Sequence, residues 1–288
     1  MENFPVVTAL QIFKNAPELP SELRTQKLTT GCPVLDEFLG GGILSRGITE
    51  VAGESASGKT QLCLQLSLTA QLPKELNGLA GGAIYICTED VFPNKRLMQM
   101  IASLQKKMRA RDMPSIAFSD HIFVEHAAEM DDLMNCIGKK IPLILQKANV
   151  KLVVIDSIAA LFRCEFTAQQ AVQKAKILNN FGTQLHKLSS KYNVPIICVN
   201  QVTDVVRNDG EPLQSSREVI PSLGLSWSNL VTTRLMVMRT NKIVTLRKAE
   251  GNESIDANVR TMEVLFAPHL ANRICYYIID NEGVKGLS

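Results

Sequence analysis

The chain has 288 residues, 45% of them hydrophobic and 20% charged, enough for one large α/β domain or two small ones around a substantial core. Its 31 Lys plus Arg against 28 Asp plus Glu leave a formal charge of +3, which excludes nucleic-acid attraction by net charge; such contact must come from local loops. No apolar run approaches membrane-spanning length and the N-terminus lacks a signal pattern. Seven scattered cysteines with no C-x-x-C pair read as reduced, buried thiols of a cytosolic or nuclear protein.

Residues 1–28 read as an arm. Pro5, Pro17 and Pro20 punctuate a short apolar patch, Val6-Val7-Thr8-Ala9-Leu10, which either packs on the main domain or is offered to a partner. Residues 29–288 form the main domain, entered through a glycine-rich stretch ending at Gly42. Ile48–Ala52 reads as a strand and Gln61–Leu68 as a helix. Gly82–Cys87 is a buried strand, followed by a helix over Lys95–Met108 and a shorter strand at His121–Glu125. Met130–Ala148 is broadly helical with an interruption at Pro142. Leu152–Ile155 and Pro195–Val199 are buried strands separated by an amphipathic helix over Ala168–Tyr192. Such alternation predicts an α/β fold with a largely parallel sheet covered by helices on both faces. From Leu230 the rhythm changes: Leu230–Met238, Lys242–Arg247, Thr261–Phe266 and Cys275–Ile279 follow without helix-length spacers, predicting a closing antiparallel meander.

The most specific chemistry lies between the first strand and helix. Gly53-Glu54-Ser55-Ala56-Ser57-Gly58-Lys59-Thr60 matches G-x-x-x-x-G-K-[ST] in the strand–loop–helix context the pattern needs. The glycines let backbone N–H groups converge on phosphate oxygens at a helix N-terminus. Lys59 would reach the β/γ-phosphates and the Thr60 hydroxyl would ligate Mg²⁺. Leu152-Val-Val-Ile-Asp156 delivers a carboxylate from a hydrophobic strand, and parallel strands gather their C-terminal ends at one edge. Alone, such an aspartate would more often initiate a turn; paired with the glycine loop, Asp156 is read as the second Mg²⁺ ligand. Two more strand ends reach that edge, one with Thr88-Glu89-Asp90 and one with Asn200-Gln201. Glu89 either orients the attacking water or, with Asp90, caps the next helix near Pro93; Gln201 can hydrogen-bond the γ-phosphate and sense its loss.

Taken in order, Gly53–Thr60, Tyr85–Glu89, Leu152–Ser157 and Asn200-Gln201-Val202 resemble the ATPase core of the RecA-type recombinase family. Phe92-Pro-Asn-Lys-Arg96 resembles its eukaryotic branch, and further strings (Gly31–Asp36, Phe162–Phe166, Ala267–Leu270) are similar to one recombinase paralogue of that branch. The resemblance runs from about Leu28 to Gly286. It implies a RecA-like P-loop fold, ATP and Mg²⁺ as ligands, Glu89 as catalytic carboxylate and Gln201 as the switch between γ-phosphate and the following loop. It implies that Arg96 lies against the adenine, and that residues around Ala267 and Pro268 cap a neighbouring subunit's ATP.

The resemblance also assigns the loops after Asp156 and Gln201 to DNA, with Arg163, Phe166, Arg207 and Arg217 as the contacts. The second loop, Thr203–Pro221, sets those two arginines against Asp204, Asp209, Glu211 and Glu218, a balance unsuited to a continuous phosphate-tracking groove. The family's F-x-x-A polymerisation motif falls on Val6-Val-Thr-Ala9, without the aromatic anchor. Residues 1–28 are not expected to form the family's small helical N-terminal domain.

These features predict an ATP-binding, weakly hydrolysing, DNA-dependent ATPase subunit of a paralogue hetero-oligomer supporting homologous recombination repair. Its expected partners are another recombinase paralogue (the C-type paralogue first), the main recombinase filament, and single-stranded or branched DNA, with no membrane. The expected location is the nucleus, with some cytoplasmic pool. A self-filamenting strand-exchange recombinase and a scaffold that binds ATP without hydrolysing it are the alternatives. Trp227 is expected to pack beside the second loop, and Lys106–Arg111 to form a solvated helix end.

Overall fold

A computed structural model of the chain describes residues 26–164, 170–204, 219–247 and 254–288. Val6, Ala9, Phe166, Arg207 and Arg217 lie outside the described residues. Strands β1 (Lys27–Leu28) and β2 (Ile43–Leu44) pair antiparallel, with helix α1 (Pro33–Phe38) between them in sequence. Strand β3 (Ile48–Gly53), helix α2 (Lys59–Thr69), strand β4 (Gly82–Cys87), helix α3 (Asn94–Arg109) and strand β5 (Ile122–His126) follow.

Next come α4 (Met130–Asn135), a π-helical turn (Cys136–Lys140) and α5 (Ile141–Lys147). Pro142 sits within the first turn of α5, so the expected interruption is realised as a widened turn just before it. The proline ring would clash with the carbonyl four residues back, and a local π turn relieves the clash without ending the helical path. Strand β6 (Val150–Asp156) and helices α6 (Ile158–Cys164) and α7 (Ala171–Tyr192) lead to β7 (Ile196–Asn200). The short β8 (Val202–Asp204) and β9 (Val219–Pro221) pair antiparallel, and α8 (Gly224–Ser228) follows them.

The tail comprises β10 (Thr233–Arg247), β11 (Ser254–Phe266), β12 (Ile274–Asp280) and β13 (Gly283–Gly286). The two strands expected at Leu230–Met238 and Lys242–Arg247 are thus one long strand, irregular between Arg239 and Ile243. Pairing with β11 on both sides of that irregularity carries the strand through polar residues that show no apolar run.

Among the described residues the large sheet has nine strands in the order β13-β12-β11-β10-β3-β7-β6-β4-β5. From β10 to β5 every pair is parallel; from β10 to β13 every pair is antiparallel. The expected meander therefore extends the parallel sheet edgewise. Alternation along the central strands explains the layering. Val51, Tyr85, Val154 and Val199 face a core shared with α1, α2 and α3. Ile48, Ile84, Ile155 and Cys198 face a second core built with α4 to α8. Continuous apolar strands are required because both faces are covered. At the outer edge β5 leaves Phe123 and Val124 partly exposed.

Candidate nucleotide-binding site

The C-terminal ends of β3, β4, β6 and β7 open onto a cavity of about 950 Å³. Residues 53–60 curl from β3 into α2. Gly58 caps the helix at φ +105, and Ala56 also has a positive φ of 60. Both motif glycines are required by close approach of the tail. A Cβ on Gly53 would lie 2.1 Å from the Val237 carbonyl oxygen, and one on Gly58 would lie 2.4 Å from Ile279 Cδ1. Gly53, Glu54, Ser55, Ala56, Gly58, Lys59 and Thr60 line the cavity. Ser57 is buried beneath it, its hydroxyl donating to the Glu54 carbonyl at 2.8 Å and its own carbonyl accepting from Tyr277 OH at 2.5 Å.

Lys59 Nζ donates to the carbonyls of Gly53 (2.8 Å) and Glu54 (2.6 Å). Burial lowers its pKa, opposed by the negative charges of Asp156 and Glu89. Asp156 Oδ2 accepts from Thr60 Oγ1 and from Tyr85 OH, both at 2.7 Å. The Thr60 hydroxyl and Asp156 carboxylate thus meet as two hard oxygen donors beside the phosphate loop. One carboxylate and one hydroxyl suit Mg²⁺, which keeps several waters and takes further oxygens from substrate phosphates. Among the described residues no group of three or more His, Cys, Asp or Glu side chains could by itself hold a metal.

Glu89 is tied to the edge from two directions. Its Oε1 accepts from Gln201 Nε2 at 2.6 Å and from Ser157 Oγ at 3.3 Å. Burial raises its pKa above the usual carboxylate value; Asp156 and Asp90 add to the rise, while Ser157 and Lys59 oppose it. Gln201 Oε1 in turn accepts from Arg163 Nη1 at 2.6 Å. The structure therefore brings Glu89, Gln201 and Arg163 into one hydrogen-bonded line that runs from the cavity to the surface.

Arg96 also lines the cavity, held at its far side. Its guanidinium donates to Gln61 Oε1 at 2.6 Å and to the carbonyls of Asp280 (2.5 Å) and Asn281 (3.3 Å), bolting α3 to the turn between β12 and β13. Pro268 is exposed in the connection between β11 and β12. Trp227 is fully buried, its ring 6.0 Å from that of Phe181, and so presents no face to a base. Lys106, Arg109 and Arg111 are exposed as expected of a helix end, and Lys107 pairs with Glu282 at 2.7 Å.

Sequence reasoning missed several contributors. Tyr85 falls two residues before Cys87 on the same face of β4, and both line the cavity; that even spacing was the available signal. Thr88 Oγ1 both donates to the Ser157 carbonyl (2.5 Å) and accepts from its N–H (2.9 Å), locking the end of β4 to the end of β6. Two arginines of the tail reach the phosphate loop: Arg239 pairs with Glu54 at 2.9 Å and Arg260 Nε donates to the Ala56 carbonyl at 3.3 Å. No local sequence signal ties these arginines to the loop. The described cysteines Cys32, Cys63, Cys87, Cys136, Cys198 and Cys275 are free and buried.

A glycine loop, an acidic strand end and a glutamine strand end on one parallel edge, closed by antiparallel strands, define a RecA-like P-loop fold. The Rad51 family description matches residues 22–287, and the chain belongs to that family, whose members are ATPases. It is 46% identical to the DNA repair protein XRCC3 of Mus musculus over 291 residues, covering 98% of this chain and 81% of the relative. Against the DNA repair protein XRCC3 of Bos taurus the identity is 43%, covering 98% and 80%. Against the XRCC3 homolog of Arabidopsis thaliana it is 35% over 286 residues, covering 90% and 92%.

Proposed function

We propose that this chain is an ATP-binding, weakly hydrolysing subunit of a recombinase-paralogue complex. Its role is to support homologous recombination repair of DNA double-strand breaks and stalled forks. The observation that carries this reading is the line Glu89–Gln201–Arg163, which links the phosphate cavity to both segments that the family resemblance assigns to DNA. A group that occupied the γ-phosphate position would compete for Gln201 and so alter what Arg163 can contact.

In this reading residues 53–60 cradle the triphosphate of ATP, Lys59 neutralises it, and Arg96 borders the base. Thr60 and Asp156 would hold Mg²⁺, which supplies charge neutralisation on the β/γ-phosphates. Glu89 holds and polarises the attacking water, and Gln201 reports loss of the γ-phosphate to the loop it opens. The main domain spans residues 29–288 and the segment 1–28 serves as an arm to a partner, with Val6, Ala9 and Pro268 at subunit contacts.

The partner is a further recombinase paralogue, the C-type first, with the main recombinase filament and single-stranded or branched DNA as the wider assembly, in the nucleus and partly in the cytoplasm. The exposed edge of β5, with Phe123 and Val124 partly open, supports a contact by strand addition. Among the described residues no helix is long and apolar enough to cross a membrane.

Co-expression with candidate paralogues, followed by mass measurement with and without ATP and Mg²⁺, tests the assembly. A defined hetero-oligomer is expected; a monomer under every condition refutes it. Long self-filaments with robust strand exchange by the isolated chain would favour the recombinase alternative. Repair unchanged by Glu89→Gln, with the complex disrupted by Lys59→Ala, would favour the scaffold.

A further inference from the structure

Glu50 is a charged residue in the middle of β3, three positions before the phosphate loop, and it is fully buried between the sheet and α8. Its carboxylate is saturated by groups from three other elements. Oε1 accepts from Asn200 Nδ2 at 2.6 Å and from Trp227 Nε1 at 3.0 Å, and Oε2 accepts from Arg234 Nε. Arg234 also donates to Ser228 Oγ at 2.8 Å, which holds α8 against β10.

The network continues towards the second loop at both its ends. Asn200 is the residue before Gln201, and its Oδ1 accepts from Ser222 Oγ at 2.9 Å. Ser222, just beyond β9, donates its backbone N–H to the Gln201 carbonyl at 3.0 Å. The same Trp227 packs on Phe181, which packs on Phe162 at 5.6 Å, and Phe162 precedes Arg163 on α6. Gln201 is therefore approached from behind by the Glu50 network and from the front by Arg163.

We propose that Glu50 is a positioning residue for Gln201 and for both feet of the second loop. Its buried carboxylate fixes Asn200, and through Asn200 it fixes Ser222, so that the strand carrying the phosphate loop and the two ends of the loop at Gln201 and Ser222 move as one unit. A buried carboxylate that had only to be neutralised would need Arg234 alone; the two further donors come from residues that bracket the second loop. The proposal rests on the reading of Gln201 as the γ-phosphate sensor, and gives that sensor a fixed base.

Hydrogen–deuterium exchange on the nucleotide-free full chain tests the network without reference to ATP. Ser222→Ala leaves the Glu50–Arg234 pair and the Ser222 N–H bond to the Gln201 carbonyl in place and removes only the hydroxyl bond to Asn200, so the fold is retained. It is expected to speed exchange at Gln201–Asp204 and Val219–Ser222 about ten-fold, the loss of one buried hydrogen bond, with the amides of α2 unchanged. Glu50→Gln should show the same local effect and lower kcat for ATP about ten-fold at constant KM. Exchange at the loop feet like that of wild type in Ser222→Ala, or acceleration spread evenly over β3 and α2, overturns the proposal. Failure of the wild-type chain to bind ATP would refute the proposed function instead, and the exchange pattern would still decide the role of Glu50.

Discussion

The Gln201 carboxamide donates to the Glu89 carboxylate at 2.6 Å, joining the tips of β7 and β4 across the intervening β6. These residues are 112 positions apart, and the parallel sheet alone makes them neighbours. Glu89 has ordinary helix-capping chemistry in sequence, yet its carboxylate is engaged by Gln201 and Ser157 at the rim of the cavity.

Glu89→Gln is expected to keep ATP affinity within about two-fold of wild type, because in the proposed function Lys59 and the loop amides carry the phosphate contacts. Phosphate release should fall by about 10² to 10⁴, the usual contribution of a positioned general base. Binding of a fluorescent ATP analogue and a steady-state phosphate assay separate the two effects. Turnover within a factor of two of wild type would remove Glu89 from the reaction.

The pH dependence of turnover follows from the direction of the Glu89 shift. Burial raises the pKa, so the carboxylate takes up its proton at a higher pH than an ordinary glutamate. As the water-polarising form is the ionised one, turnover should fall as pH drops through that raised value and stay level above it. A kcat profile in ATP-saturated conditions should therefore show its acid limb above the ordinary carboxylate range; a limb at or below that range would contradict the assignment.

Lys59 makes an opposite statement about stability. Burial lowers its pKa in the folded chain, so the charged form is less favourable there than in the unfolded chain. The full penalty acts at pH below the lowered folded value; it is relieved only as pH rises through that value towards that of free lysine. Nucleotide-free Lys59→Met should melt at or above the wild-type Tm. Wild type should gain about 5 °C or more with ATP and Mg²⁺ at a hundredfold excess over Kd, and the variant should gain none. Thermal melts with and without nucleotide read both effects.

Tyr85→Phe removes one of the two hydroxyl donors to Asp156 Oδ2 and leaves Thr60 as the other. The loss should be about 1 kcal/mol of stability, seen as a lower denaturant midpoint at unchanged m. The freed carboxylate should also shift the Mg²⁺ dependence of ATP turnover, measured by titrating the metal at fixed ATP. An unaltered midpoint together with an unaltered Mg²⁺ curve would show that Tyr85 is a packing residue only.

The order of strands and helices, the parallel core and the phosphate loop were legible because each is written in local pattern. Apolar runs mark strands buried on both faces, and the Gly53–Thr60 spacing states its own chemistry. Asp156 was legible because it ends such a run. Arg239, Arg260 and Tyr277 were not, since they come from the antiparallel tail and act on the loop only because β10 lies beside β3. Glu50 left one trace in sequence, a charge inside an apolar strand, but nothing near it names Arg234, Asn200 or Trp227 as its partners.

From sequence alone came the G-x-x-x-x-G-K-[ST] loop, with the nucleotide binding that the family implies, and the strand ends on which polar groups gather. Local propensity and hydrophobic period decide both, over distances of a few residues. Tertiary structure alone decided that Gln201 reaches Glu89, that Arg163 reaches Gln201, and that the buried Glu50 carboxylate on β3 meets Asn200, Trp227 and Arg234. Side chains far apart in the chain meet only after strand order is set. The burial that follows then obliges every polar group among them to find a partner.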